Sequence, residues 1–354
     1  MGFVRNEVQH FMLEVYVLAF TVALMATYLL TPYVKELAVR VGAMDAPDAR
    51  KVHTRPIPRM GGLAIYAGFI LACLASLYVN REILSLMLGG TVILAVGIVD
   101  DMKQISPRAK LLGQIAAAAV LVLFGIRIEW LTNPFGDIIY LSYLSIPLTI
   151  FWVVGLTNTL NLIDGLDGLA AGVSTIASLT ILLVAAQQNF WTVAILTAAL
   201  AGSALGFLQH NFNPAKIFMG DTGSMFLGYM LAAVSVLGTV KSAATIALVV
   251  PAVALGLPIM DTAFAIIRRY LSGQPIFKPD KGHLHHRLLA MGLSQRQAVL
   301  LMYLISGCLG VSAIILTLVN QVSAALILLA LLGSAVLGAK KIGVLKGSNS
   351  LGTH

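Results

Sequence analysis

Five aspartates stand at the ends of long apolar segments of this 354-residue chain: Asp100, Asp101, Asp164, Asp167 and Asp221. One acid at a helix end is ordinarily a solvated residue or a helix cap. Asp100 and Asp101 are adjacent, however, and neighbouring carboxylates repel one another unless a cation or a shared proton relieves the repulsion. The pair therefore predicts a metal site or a general base.

A polar side chain recurs every third residue between two apolar segments, at Asn158, Asn161, Asp164 and Asp167. On a helical turn these side chains lie along one face. Their amide and carboxylate oxygens suit Mg²⁺ or Mn²⁺ better than zinc. The alternative interpretation is a polar seam between packed helices.

A third polar stretch, from Asn211 to Ser224, contains Pro214 and Gly220 and predicts a loop that enters a new helix. Asp221 could cap that helix. The same geometry presents unpaired backbone N–H groups, which predicts a diphosphate site with Asp221 holding a metal ion.

Three histidines and an arginine fall within five residues: His283, His285, His286 and Arg287. Zinc-binding histidines usually have helical or wider spacing, and no cysteine is near. These side chains are therefore predicted to donate hydrogen bonds to phosphate and sugar oxygens.

Two further charges lie close to or inside apolar segments. Lys110 returns a positive charge to the face that carries the aspartate pair, where it could contact phosphate oxygens. Asp261 lies about two helical turns before Arg268, at a depth where an unpaired charge is costly. The sequence leaves the role of Asp261 open.

The elements that carry these residues are membrane helices. The chain is 58% hydrophobic and 11% charged, with a mean hydropathy of +0.91, whereas soluble domains contain roughly 25% charged residues. Since a membrane helix needs roughly 20 apolar residues, we predict one all-α, polytopic bundle of about eleven spans, forming a single integral membrane domain over residues 1–354. The apolar windows are Val15–Val34, Gly61–Val79, Ile83–Val99, Leu111–Ile126, Ile138–Leu156, Leu169–Ala186, Trp191–Leu208, Ser224–Val240, Ala243–Ile267, Ala298–Val319 and Val322–Ala339.

The basic residues predict the orientation. Of the 23 Lys and Arg, all but Arg5, Arg81, Arg127 and Lys241 fall in one set of alternate loops. Basic residues concentrate in cytoplasmic loops, so we expect the N-terminus outside and the C-terminus in the cytoplasm. The net charge of +8 has the same origin, and nucleic acid is not an expected partner.

Together these motifs resemble the polyprenyl-phosphate N-acetylhexosamine 1-phosphate transferases, glycosyltransferase family 4. The stretch Arg50–Gly62 also resembles that family, and the likeness extends in the family's order to Leu289. The His-x-His-His-Arg-Leu form and the eleven predicted spans are more similar to the WecA and TagO branch than to the MraY branch. An MraY-like phospho-N-acetylmuramoyl-pentapeptide transferase is the alternative within the family.

The resemblance implies an enzyme of the bacterial cytoplasmic (inner) membrane with its active site facing the cytoplasm. It would transfer GlcNAc 1-phosphate from UDP-GlcNAc to undecaprenyl phosphate and release UMP. This would be the first membrane step of an envelope glycopolymer such as teichoic acid or lipopolysaccharide. Analogy with relatives suggests a homodimer.

The resemblance also implies residue roles. Asp221 and Asn161 would ligate Mg²⁺, with Mn²⁺ as a substitute, and Asp100 or Asp101 would deprotonate or position the lipid phosphate. A third acid found in part of the family has no counterpart in Met102–Ile105. The substrate-binding residues would be Lys110, Asn158, Asp164, Asp167, Asn213, His283, His285, His286 and Arg287.

Two alternatives remain at the level of sequence. The lipid phosphate could attack the β-phosphorus directly, or one of the acids could form a covalent phospho-enzyme. From another functional class, a secondary transporter could use acids to carry protons or cations, but transporter sites lie near the bilayer midplane. Only Asp261 is predicted to lie that deep.

Overall fold

The computed structural model describes residues 2–47, 55–132, 138–241, 246–274 and 282–343. The predicted motif residues from Arg50 to Thr54 lie outside these ranges. The helices are α1 (Gly2–Arg40), α2 (Gly62–Ser76), α3 (Arg81–Lys103), α4 (Pro107–Leu123), α5 (Ser145–Ile163), α6 (Leu169–Gln187), α7 (Trp191–Asn211), α8 (Gly220–Lys241), α9 (Ile246–Ala254), α10 (Gly256–Leu271), α11 (Leu284–Ala290), α12 (Gln295–Leu316) and α13 (Gln321–Ile342).

Each predicted apolar window overlaps at least one helix, which confirms an all-α polytopic membrane protein. The window Ile138–Leu156 begins on a short strand, Ile138–Tyr140, and its helix starts at Ser145. Among the described residues, eight helices are long and apolar enough to cross a membrane, and a ninth span results if the bent pair α9–α10 counts as one. α2 is a shorter apolar helix of 15 residues. The count of eleven spans stays a prediction.

The predicted window Ala243–Ile267 is not one straight helix. α9 and α10 meet at Leu255 and are bent by 77° relative to one another. Pro258 stands in the first turn of α10, where its missing N–H breaks no helical hydrogen bond. The bend turns α10 across the bundle, so that it packs against α5 and α12.

α8 is the centre of the bundle. It packs against α3 and α5, and 94% of its apolar segment is buried inside the protein. Its first turn is therefore held in place by neighbouring helices. In α13 only 6% of the corresponding segment is buried, as suits a helix whose outer surface faces lipid.

One end of the bundle, here called the site end, is where α3, α5 and α7 finish and where α4, α6 and α8 begin. A hydrogen bond from Gly168 N to Asn211 Oδ1 joins the start of α6 to the end of α7 there. The short strands β1 (Met44–Asp45) and β2 (Ile57–Pro58) lie at the same end, since Phe218 N donates to Pro58 O.

Candidate active site

The carboxylate of Asp101 caps the central helix. It accepts hydrogen bonds from the backbone N–H groups of Asp221 and Thr222, each at 3.0 Å, and from Thr222 Oγ1 at 2.6 Å. The side chain is buried, with 5% relative exposure. Asp101 thus satisfies N–H groups that the first turn of α8 leaves without helical partners. Both carboxylate oxygens of Asp101 thus accept hydrogen bonds that hold α8 against α3.

This bonding predicts a structural effect for Asp101→Asn. We expect the free energy of unfolding to fall by about 1–2 kcal/mol, the usual cost of a lost helix cap, because an amide offers one acceptor oxygen where the carboxylate offers two. Thermal unfolding in detergent, followed by intrinsic fluorescence, measures the change. Asp100→Asn is the comparison and should melt at a higher temperature than Asp101→Asn; equal midpoints would contradict the assignment.

Asp100 points to a different group from its neighbour. Its Oδ2 lies 3.0 Å from Lys110 Nζ, and the same ammonium contacts Asp221 Oδ2. Asp100 Oδ1 accepts from Ile105 N at 3.0 Å, which fixes the turn after α3. Two carboxylates from different helices therefore converge on one positive charge. This convergence relieves the repulsion expected between them.

Asn161 joins the cluster from the last turns of α5. Its Nδ2 lies 3.1 Å from Asp221 Oδ1 and 2.9 Å from Ser224 Oγ. A rotation of the amide about its last torsion would exchange oxygen for nitrogen at this position. Asn161 therefore lies beside Asp221, the residue with which the family resemblance groups it.

Asn158, one turn deeper, is bonded to a residue that the sequence did not single out. Gln114 Nε2 donates to Asn158 Oδ1 at 3.1 Å, and Asn158 Nδ2 donates to Gln114 Oε1 at 2.7 Å. Gln114 is only 1% exposed. This reciprocal amide pair links α4 to α5 below the carboxylates. A binding role for Asn158 stays a prediction.

Asp167 and Asn213 bond to one another. Asp167 Oδ2 accepts from Asn213 Nδ2 at 2.9 Å and from Ala215 N at 3.0 Å. Asn213 Nδ2 also lies 2.7 Å from Gln295 Oε1, at the start of α12. The two predicted substrate-binding residues form a brace between the loops that precede α6 and α8. Substrate contact by either of them stays a prediction.

Asp164 follows α5 directly and faces other acids. Desolvation, together with the charges of Asp221, Asp101 and Asp167, raises the pKa of Asp164 to about 8, and Arg59 opposes this shift only weakly. The site end therefore concentrates negative charge that a bound cation would stabilise.

The histidine segment lies against the loop of Asp164. A Cβ added to Gly165 would lie 2.5 Å from His285 Nε2, so only glycine fits under this ring. The rings of His283 and His285 are stacked with centroids 5.8 Å apart, and His286 lies 4.2 Å from His285. The predicted histidines are thus brought to the loop between α5 and α6.

Three of the four side chains of this segment are buried, and His286 is half-buried. Relative exposure is 5% for His283, 2% for His285 and 6% for Arg287. Burial, with a contribution from His286, lowers the pKa of His285 to about 3. His285 is therefore neutral and meets a phosphate only as a neutral donor or acceptor.

Similarity to known proteins decides the family. The family model described as glycosyl transferase family 4 matches residues 83–239. A probable undecaprenyl-phosphate N-acetylglucosaminyl 1-phosphate transferase of Bacillus subtilis strain 168 is 47% identical over 302 residues, which cover 85% of this chain and 84% of that protein. The chain belongs to glycosyltransferase family 4.

Further relatives separate the branches of the family. A decaprenyl-phosphate N-acetylglucosaminephosphotransferase of Mycolicibacterium smegmatis is 40% identical to this transferase over 82% of the chain and 79% of the relative. A phospho-N-acetylmuramoyl-pentapeptide-transferase of Caldanaerobacter subterraneus is 32% identical over 82% and 93%, respectively. The family predicted from the motifs is confirmed, and the transferase is more similar to the N-acetylglucosamine relatives.

The transferase offers a divalent cation suitable donors. Asp100 and Asp221 already face a single positive charge, that of Lys110, and Asn161 supplies an amide beside them. Oxygen donors of this kind suit Mg²⁺. Within the described ranges, no three His, Cys, Asp or Glu side chains form a ready metal-binding group. Because the ammonium of Lys110 contacts both carboxylates, a cation bound between Asp100 and Asp221 would displace it.

Several residues of this site were not predicted as functional. Gln114 pairs with Asn158, the charge of Arg59 lowers the pKa of Asp164, and Gly165 leaves room for the His285 ring. Their sequence signals are weak, because each depends on contact with a distant segment. Asp221, Asn161, Asp100 and Lys110 are brought together as one cluster.

Proposed function

We propose that this transferase moves GlcNAc 1-phosphate from UDP-GlcNAc to undecaprenyl phosphate and releases UMP. The observation that carries the proposal is the junction of Asp100, Asp221 and Lys110 at the end of the buried helix α8. It combines acidic groups for a cation with a basic group for phosphate, at the end of a membrane bundle.

The reaction forms a bond between an oxygen of the lipid phosphate and the β-phosphorus of UDP-GlcNAc. The bond from that phosphorus to the oxygen shared with the α-phosphate breaks, and UMP leaves with the electron pair. Phosphoryl transfer depends chiefly on in-line positioning and charge stabilisation. The protein therefore has to hold two phosphate groups in line, and direct attack is the form that we propose.

Each side chain has a distinct task in this scheme. Asp100 positions the lipid phosphate, since Asp101 is committed to capping α8. Lys110 moves from the carboxylates to the diphosphate, where its charge stabilises the departing UMP. Asp221 and Asn161 would hold Mg²⁺, which neutralises charge on the diphosphate oxygens when bound.

The membrane setting explains the placement of the site. The phosphate of a polyprenyl phosphate lies at the interface while its hydrocarbon chain stays in the lipid. The basic loops at the site end favour a cytoplasmic location for that end. The N-terminus then lies outside, and we propose eleven spans in total. The basic loops also attract an anionic nucleotide sugar.

UMP release tests the proposal. Purified protein in detergent is given UDP-GlcNAc, undecaprenyl phosphate and Mg²⁺, with EDTA or omission of the lipid as controls. We expect release that needs both the lipid and the metal. UDP-N-acetylmuramoyl-pentapeptide is the matched donor, and preference for it would move the chain to the other branch of the family. No UMP from folded protein with any of these donors would contradict the transferase proposal.

A further inference from the structure

Asp261 is a buried carboxylate that the transfer scheme leaves without a task. It lies on α10 with 4% relative exposure, and it is not a member of the acidic junction formed by Asp100, Lys110 and Asp221. Each of its oxygens accepts one hydrogen bond. Oδ2 lies 2.8 Å from His283 Nδ1, and Oδ1 accepts from Leu284 N at 2.8 Å.

These two bonds define the histidine segment at its first turn. His283 precedes α11, and Leu284 N is one of the donors that the start of this helix leaves without a helical partner. One oxygen of Asp261 therefore fixes the backbone, while the other fixes the imidazole ring. A carboxylate at Nδ1 determines both the orientation of the ring and the nitrogen that carries the proton.

α10 touches the same segment a second time. Arg268 lies two turns further along the helix and is also 4% exposed. A Cβ on Gly282 would overlap the guanidinium carbon of Arg268, so the segment passes directly over this side chain. Both residues lie on one face of α10, because seven residues make about two helical turns.

The second ring nitrogen of His283 lies on the side away from Asp261. Its ring is parallel to that of His285, with an interplanar angle of 9°, and His285 abuts Gly165 beside the acidic junction. The ring is thus held one imidazole away from the loop that follows α5.

We infer that Asp261 is a positioning residue for the transfer reaction, acting through His283. It holds a proton on Nδ1 and orients the ring so that Nε2 meets a phosphate oxygen of the nucleotide sugar. The negative charge of Asp261 balances the imidazolium that donates from Nε2. This inference rests on the proposed function, because it assumes that His283 meets a phosphate in the UMP-releasing reaction.

Two replacements of His283 separate its nitrogens. His283→Asn places an amide nitrogen near the position of Nδ1, which keeps the contact with Asp261 and removes Nε2. His283→Gln places an amide nitrogen near the position of Nε2 and loses that contact.

Asp261→Asn keeps an oxygen for Leu284 N and presents an amide NH₂ to the ring. We expect Asp261→Asn to lower kcat about 10- to 100-fold, the range found when a carboxylate that orients a metal-bound histidine is removed.

The double variant of Asp261 and His283 distinguishes a positioning role from a merely structural role. We expect Asp261→Asn to cost little further activity in a His283→Ala background, because both changes remove the same oriented nitrogen. Selective ¹⁵N-histidine labelling, with His283→Ala to assign the signal, should reveal a changed ring-nitrogen shift for His283 in Asp261→Asn. Glu129→Gln, an acid paired with Arg127 and 37% exposed, is the control.

Three outcomes would overturn the inference while unchanged protein still releases UMP. These are full activity of Asp261→Asn, full activity of His283→Ala, and additive losses in the double variant. Absence of UMP release from the unchanged protein would instead contradict the proposed function. UMP release by unchanged protein is therefore measured before any variant is assayed.

Discussion

Asp221→Asn should reduce UMP release about 10³-fold, the scale of losing a principal charge-stabilising group. Asp221 is the residue at which the site converges: Lys110 and Asn161 contact its two carboxylate oxygens from α4 and α5. An asparagine keeps the size and one acceptor oxygen but removes the negative charge. The bundle should remain folded, since Lys110 keeps Asp100 as a partner.

Binding of a divalent cation gives this prediction a second measurement. Electron paramagnetic resonance counts unbound Mn²⁺ during titration of the protein in detergent. We expect Asp221→Asn to bind Mn²⁺ more weakly than unchanged protein. Glu36→Gln is the matched change of acid to amide, because Glu36 is 68% exposed on the last turns of α1 and pairs with Arg40 of the same helix. Unchanged Mn²⁺ affinity with near-normal UMP release in Asp221→Asn would refute the assignment.

The sequence predicted the membrane helices because their apolar windows are local. Hydropathy over about 20 residues identifies a span without knowledge of its neighbours. It did not reveal the bend of 77° at Leu255, since both halves of the window are apolar and hydropathy does not distinguish one straight helix from two bent ones. Hydropathy alone also does not predict the direction in which α10 leaves α9.

The acidic pair illustrates a second limit. From sequence, Asp100 and Asp101 were equivalent candidates to deprotonate or position the lipid phosphate. On α3 adjacent residues point about 100° apart, so one carboxylate meets the N–H groups of α8 and the other meets Lys110. The choice between them required the position of α8, a helix some 120 residues further along the chain.

Partners of buried polar groups could be predicted only as types. A costly charge at Asp261 implied a nearby cation or donor, and the structure supplies His283 and Leu284 N. Asn158 was predicted only as part of a polar stripe, and its partner is Gln114. The stripe from Asn158 to Asp167 was predicted to present oxygen ligands along one helical face. In the structure α5 ends at Ile163, so Asp164 and Asp167 lie beyond the helix, while Asn158 pairs with Gln114 and Asn161 lies beside Asp221.

Lys110→Met should lower UMP release about 10²-fold, on the scale of removing one preorganised charge from a phosphoryl-transfer site. The reason differs from that for Asp221. The ammonium contacts Asp100 and Asp221 together, so the same charge that serves the diphosphate competes with a metal ion for these carboxylates. Methionine retains much of the length of lysine without its charge.

The two variants should therefore diverge in metal binding. We expect Lys110→Met to bind Mn²⁺ at least as tightly as unchanged protein, whereas Asp221→Asn binds it more weakly. Lys103→Met is the control, since Lys103 is exposed at the end of the same α3 that carries Asp100. If Lys110→Met loses Mn²⁺ affinity together with activity, the ammonium helps to build the metal site and does not compete for it. If Lys110→Met loses activity but keeps its Mn²⁺ affinity, the charge of Lys110 is assigned to the phosphates. The ammonium leaves Asp100 and Asp221 when the metal binds, and it then needs another anionic partner in the same site.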